Sequence, residues 1–184
     1  MKIHYNAPVV LTYTFICVLV LGANLLLGGT LTPFFSAPAI FHPLYVVDYF
    51  RLFSHGMGHA NWAHLLSNFT FILLIGPVLE EKYGSKRLLQ MIGVTVLVTG
   101  VLNAVLFDTS LMGASGIVFM LILLGSIVNA RQGRIPLTFI LVVLLFLGQE
   151  VLDIFKSDNV SQFAHIIGGV CGAAFGFAFK KGRR

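Results

Sequence analysis

Residues 113–131 read GASGIVFMLILLGSIVNAR, and this stretch sets the fold class. Between Asp108 and Arg131 there is no Asp, Glu, Lys or Arg. The run opens on a small-residue turn, Gly113-Ala114-Ser115-Gly116, and stays predominantly apolar to Ala130. An uncharged apolar run of this length reads as a helix in lipid, where a helix satisfies its own backbone hydrogen bonds. From Ser115 to Arg131 is 16 residues, about 24 Å of helix. The hydrocarbon core of a bilayer is about 30 Å thick. A helix that ends at the inner surface therefore begins below the outer one. Its first backbone groups then need water or protein around them, which implies a polar cavity open to the outer side.

The same reading extends outward along the chain. Charge-free gaps run from Lys2 to Asp48, Arg51 to Glu80, Arg87 to Asp108, Arg134 to Glu150 and Asp158 to Lys180. They predict six spans: Val9–Leu27, Trp62–Tyr83, Lys86–Phe107, Ser115–Ala130, Ile135–Asp153 and Gln162–Lys180. The first is read as a retained helix, since no small-residue cleavage site follows it. Composition agrees, with 57% hydrophobic and only 10% charged residues in a 184-residue chain. Soluble domains carry about a quarter charged residues. The expected fold is all-α, a single six-transmembrane-helix bundle.

The net charge of +5 does not point to nucleic acid, because the basic residues sit between apolar runs. There they report topology. With the N-terminus inside, Lys2, Lys82, Lys86, Arg87, Arg131, Arg134, Lys180, Lys181, Arg183 and Arg184 are cytoplasmic, leaving Arg51 and Lys156 outside. Both termini are then cytoplasmic, and the second, fourth and sixth spans run from outside to inside. The outer loop, Gly28–Asn61, holds Pro33, Pro38 and Pro43 and many aromatic residues. It is expected in the interface or partly within the outer leaflet. Cys17 and Cys171 lie inside apolar runs and suit neither a metal motif nor a disulfide framework.

Polar residues inside spans are costly and are functional candidates by default. Ser115 has glycine on one side and Gly113 two residues before it, an arrangement that admits a tight turn and close backbone approach. Free N–H groups at a helix start can stabilise an oxyanion. The same pattern also fits a helix N-cap with small residues for packing. His165 precedes Gly168, Gly172 and Gly176, which leave one face of the last span bare for a neighbouring helix. It reads as a base, or as a histidine satisfied by a backbone carbonyl. His64 and Asn68 are four apart and share a helix face as hydrogen-bond donors. His55 and His59 read as polar residues bracing the loop. The topology brings His64, Ser115 and His165 to outer ends at similar depth, as a nucleophile, base and donors require. Asp108, Asp153 and Asp158 are not placed to complete a triad, so a Ser–His dyad is expected.

These residues resemble the rhomboid family of intramembrane serine proteases, in its bacterial type. The resemblance covers nearly the whole chain. It rests on Gly113-Ala114-Ser115-Gly116, on Ala164-His165-Ile166-Ile167-Gly168 followed by Gly172, and on His64 with Asn68. Phe50-Arg51 and Glu80-x-x-x-Gly84-Ser85 add to it. The resemblance implies Ser115 as nucleophile and His165 as base. It implies His64, Asn68 and the Ser115 N–H as the oxyanion hole. It further implies cleavage of transmembrane protein substrates near the outer boundary of the cell membrane, with the active site opening outside the cytoplasm and no cofactor or metal. Two positions depart from the pattern: Phe119 stands where the family often has tyrosine, and Phe50 where it has tryptophan. Arg51 and Glu80 are expected to be structural. The rival readings are a histidine-based metal or ion transporter using His55, His59, His64 and His165, and an inactive relative that only binds membrane helices.

Overall fold

Each helix starts where the chain supplies a local reason. Helix α1, Pro8–Leu26, has proline at its first position, where the missing N–H is no loss. Helix α3, Trp62–Tyr83, is capped by Asn61, whose side-chain oxygen accepts the His64 N–H at 2.8 Å. It stops at Gly84, whose φ of 82° few side chains tolerate, and α4, Ser85–Leu106, begins at the next residue. Helix α5 is Ser115–Ile127. Helix α6, Leu137–Val142, runs into a π-helical turn at Val143–Leu147, and α7 is Asn159–Ala178. The structure, a computed structural model, describes residues 3–127, 135–147 and 159–179. The predicted span segments 128–130 and 148–153, Lys180, and the loop residues Lys156 and Asp158 lie outside the described residues.

Among the described residues every regular element is helical. Three helices, α1, α3 and α4, are long and apolar enough to cross a membrane, and α5 and the α7 segment Gln162–Ala178 are shorter apolar helices. The interhelical contacts set their relative direction. Gly116 meets Ala164 and Gly168, Met120 meets Gly172, and Ile127 meets Gly176, so α5 and α7 run parallel. Gly113 lies by His64, and Gly125 by Ile75, so α3 is parallel to both. Helix α5 is the centre of the bundle. Ile117, Met120, Leu121, Leu123 and Leu124 on it are essentially buried all round, as expected for a helix enclosed by others.

The long loop contains a helix that the sequence reading did not specify. Helix α2, Val46–Ser54, is flanked by short 3-10 turns at Thr32–Phe35 and His55–Met57. Its outer face exposes Val46, Val47, Tyr49, Phe50 and Phe53, while Asp48, Leu52 and Ser54 are buried. An exposed apolar helix face of this kind suits the membrane interface. Arg51 braces it: Nη1 pairs with Asp48 at 2.8 Å and Nε donates to the Ser36 carbonyl at 3.0 Å. Burial pushes the Asp48 carboxyl up, but the His42 N–H and the Arg51 guanidinium outweigh it, and the net shift is downward. A backbone bond from Ala37 N–H to Leu111 C=O, 2.8 Å, then ties the loop to the segment leading into α5.

Glu80, near the end of α3, holds the start of α1. Its carboxylate accepts the N–H groups of Val9 at 2.9 Å and Val10 at 3.0 Å, and the Ser85 hydroxyl at 2.7 Å. It is 4% exposed. These are helix-start donors that would otherwise be orphaned. Glu80→Gln turns one acceptor into a donor facing an N–H. It is expected to cost about 1–3 kcal/mol of stability, measured as a shift in the SDS unfolding midpoint, with activity falling only as the folded fraction falls.

Candidate active site

The turn before α5 is built around Gly113. Its φ is +131°, in the region reserved for glycine, and its N–H donates to the His55 carbonyl at 3.0 Å. His55 is itself 2% exposed, with Nε2 3.0 Å from the Val96 carbonyl of α4. A carbonyl only accepts, so Nε2 carries the proton of a neutral ring. Burial pushes this imidazole down to about 4, and burial followed by the nearby His64 does the same to His59. His55 therefore fixes the turn from below. That role was not legible in the sequence, where nothing marks a carbonyl 58 residues upstream as its anchor.

A side chain at Gly113 would also collide with the site. A Cβ there would lie 2.8 Å from His64 Nε2 and 3.9 Å from Asn68 Nδ2. The His64 ring and the Asn68 amide thus converge over the backbone two residues before Ser115. Asn68 is 5% exposed, and its buried Nδ2 has no hydrogen-bond partner. A buried amide donor left unsatisfied is costly unless something else accepts from it. His59 stacks edge-on against His64, with ring centroids 5.2 Å apart, and also meets Phe69 at 5.8 Å.

Ser115 is the first residue of α5 and not its N-cap. Ala114 holds that place, its carbonyl accepting the Val118 N–H at 3.0 Å. The N–H groups just ahead of that bond, including that of Ser115, precede the helical ladder. The Ser115 side chain is half-buried and makes no hydrogen bond among the described residues. His165, in α7, stacks flat on Phe119 with centroids 4.4 Å apart and planes 6° from parallel. Phe119 lies one turn along α5 from Ser115, on the same face.

Backbone contact between α5 and α7 holds this stack. A Cβ on Gly168 would fall 2.0 Å from the Gly116 carbonyl oxygen, and one on Gly172 2.2 Å from that of Met120. Ala164, next to His165, is 2% exposed, and its carbonyl faces Gly116. The structure thus gathers His64, Asn68, Ser115 and His165 at one end of three parallel helices. No direct Ser115–His165 hydrogen bond forms in this state. No group of three or more potential metal-ligating side chains occurs among the described residues.

Comparison with known proteins converges on the same region. The family model for the rhomboid domain matches residues 47–182. A Haemophilus influenzae protein named Rhomboid protease GlpG is 24% identical over 140 residues, covering 74% of this chain and 73% of its own length. RHOMBOID-like protein 4 of Arabidopsis thaliana is 32% identical over 139 residues, 69% of this chain. The match spans only 33% of that longer protein. Because the domain match covers well over half of the sequence, from α2 to the last helix, the chain belongs to the rhomboid family.

Proposed function

We propose that this protein is an intramembrane serine endopeptidase that cleaves transmembrane substrates near the outer membrane boundary with a Ser115–His165 dyad. The observation that carries the reading is the flat stack of His165 on Phe119, one helical turn from Ser115. It holds an imidazole beside a half-buried, uncommitted serine at a helix start. Family membership and the name of the Haemophilus relative support the same chemistry. The six-span topology has both termini cytoplasmic and the site opening outside, in the cell membrane. The positions of the basic residues support that arrangement.

In this mechanism the Ser115 oxygen attacks the scissile carbonyl while its proton passes to His165. The carbonyl oxygen becomes an oxyanion, held by the Ser115 N–H, His64 and the Asn68 amide. Collapse breaks the C–N bond, and His165 returns the proton to the leaving amine. Water then attacks the acyl-enzyme, again losing its proton to His165, and Ser115 is regenerated. Phe119 contributes its face to the imidazole and no hydroxyl.

The test is reaction of the purified protein with a fluorophosphonate probe, followed by peptide sequencing and a parallel metal assay. Label on Ser115 that is lost in His165→Ala supports the dyad. Bound metal without serine labelling would replace it with the transporter reading, and neither signal would leave a helix-binding module. Asn68→Ala provides a second check. Loss of one oxyanion donor is expected to lower kcat about 100- to 1,000-fold with little change in KM, because the donor acts in the transition state. An equal loss of folding and turnover would make Asn68 structural.

A further inference from the structure

A cavity lies away from the site, between α1, the first loop and α4. Its volume is about 480 Å³, and its walls include Thr12, Ile16, Phe53, Met57, Leu89 and Gly93. The polar groups along it are already paired. Tyr13 O–H donates to the Gly56 carbonyl, and Thr12 bonds Tyr5 at 3.0 Å. What remains is an apolar groove with nothing to hold water or a polar solute. Its mouth is continuous with exposed apolar residues of α1 and α4, such as Phe15, Leu19 and Leu89. Both helices are long and apolar enough to cross a membrane, so the medium at the mouth is hydrocarbon.

The apolar lining and a nearby cation select the occupant. Lys86 is exposed in the first turn of α4, three residues before Leu89 and seven before Gly93. At that spacing it shares their helix face and stands at the end of the groove where α4 begins. We propose that the groove binds one acyl chain of a phospholipid whose anionic headgroup pairs with Lys86.

Gly93 makes the proposal testable. A Cβ there meets nothing within 4 Å, so a larger side chain fills the groove without disturbing its walls. Gly22 on α1 is equally open but does not line the groove, and it serves as the control. Native mass spectrometry of the purified protein with phosphatidylglycerol or phosphatidylcholine gives the readout. The wild type and Gly22→Leu are expected to retain one phosphatidylglycerol. Gly93→Leu, or Leu89→Trp from the same wall, is expected to weaken it about tenfold or more. Lys86→Gln is expected to lower the preference for phosphatidylglycerol over phosphatidylcholine about fivefold, leaving phosphatidylcholine binding unchanged. Undiminished lipid in both folded groove variants would overturn the site. Equal binding of the two lipids by the wild type would overturn the Lys86 pairing.

Discussion

Ser115→Ala is expected to reduce cleavage of a transmembrane substrate by on the order of 10⁴-fold or more, the scale on which removing a serine nucleophile acts. Stability is expected to stay within about 0.5 kcal/mol of the wild type. The structure separates these two outcomes. Ser115 is not the cap of α5, and its side chain makes no hydrogen bond among the described residues. Removing the hydroxyl therefore takes away a reactant and no structural bond. His165→Ala is expected to lose nearly as much activity. The double variant should be no worse than the more impaired single one, because the two groups act as a unit. Turnover in proteoliposomes alongside SDS unfolding measures both quantities. A Ser115→Ala protein that keeps a tenth of the activity would remove Ser115 from the chemistry.

Gly168→Ala is expected to have a large effect for a single added methyl. The new Cβ would lie 2.0 Å from the Gly116 carbonyl oxygen and 2.7 Å from its carbon. Both are backbone atoms of the central helix, so neither can swing aside, and α5 and α7 must separate. Overpacking at such a contact costs about 3 kcal/mol or more. The separation also draws His165 off Phe119, and a misplacement near 1 Å costs about 100-fold in rate. Gly93→Ala makes the opposite case. It adds the same methyl to a helix glycine with open space around it, and gains helix propensity of roughly 1 kcal/mol. Unfolding midpoints and turnover of the two variants, compared side by side, test whether α5–α7 contact or glycine content sets the effect.

The contrast shows what a linear reading reaches. Charge-free gaps located the apolar helices, because lipid burial leaves a local compositional trace. Small residues at Gly113, Gly168 and Gly172 marked the close approaches, because only glycine fits there. Asn61 caps α3, a local signal that the charge pattern did not reveal. Other features had no local mark. Glu80 caps a helix start 71 residues upstream, and the His55 carbonyl anchors Gly113 across a whole helical pair. Helix α2 was missed because prolines and aromatic residues around it read as an irregular loop. Its amphipathic face becomes visible only once Asp48 and Leu52 are seen to be buried. Ser115 and His165 stood out in the sequence as residue types at similar depths. The flat seating of His165 on Phe119 joins residues 46 apart in the chain and leaves no local mark.

The shared direction of α3, α5 and α7 has an electrostatic consequence. Each helix carries about half a positive elementary charge at its N-terminal end. Three such ends lie on the same side of the bundle, so a field favouring negative charge exists there before any side chain donates a bond. In low-dielectric surroundings that field is weakly screened. It lowers the energy of a tetrahedral anion when one forms. Part of the driving force for peptide cleavage is thus written into helix polarity, and it survives the loss of any one hydrogen-bond donor.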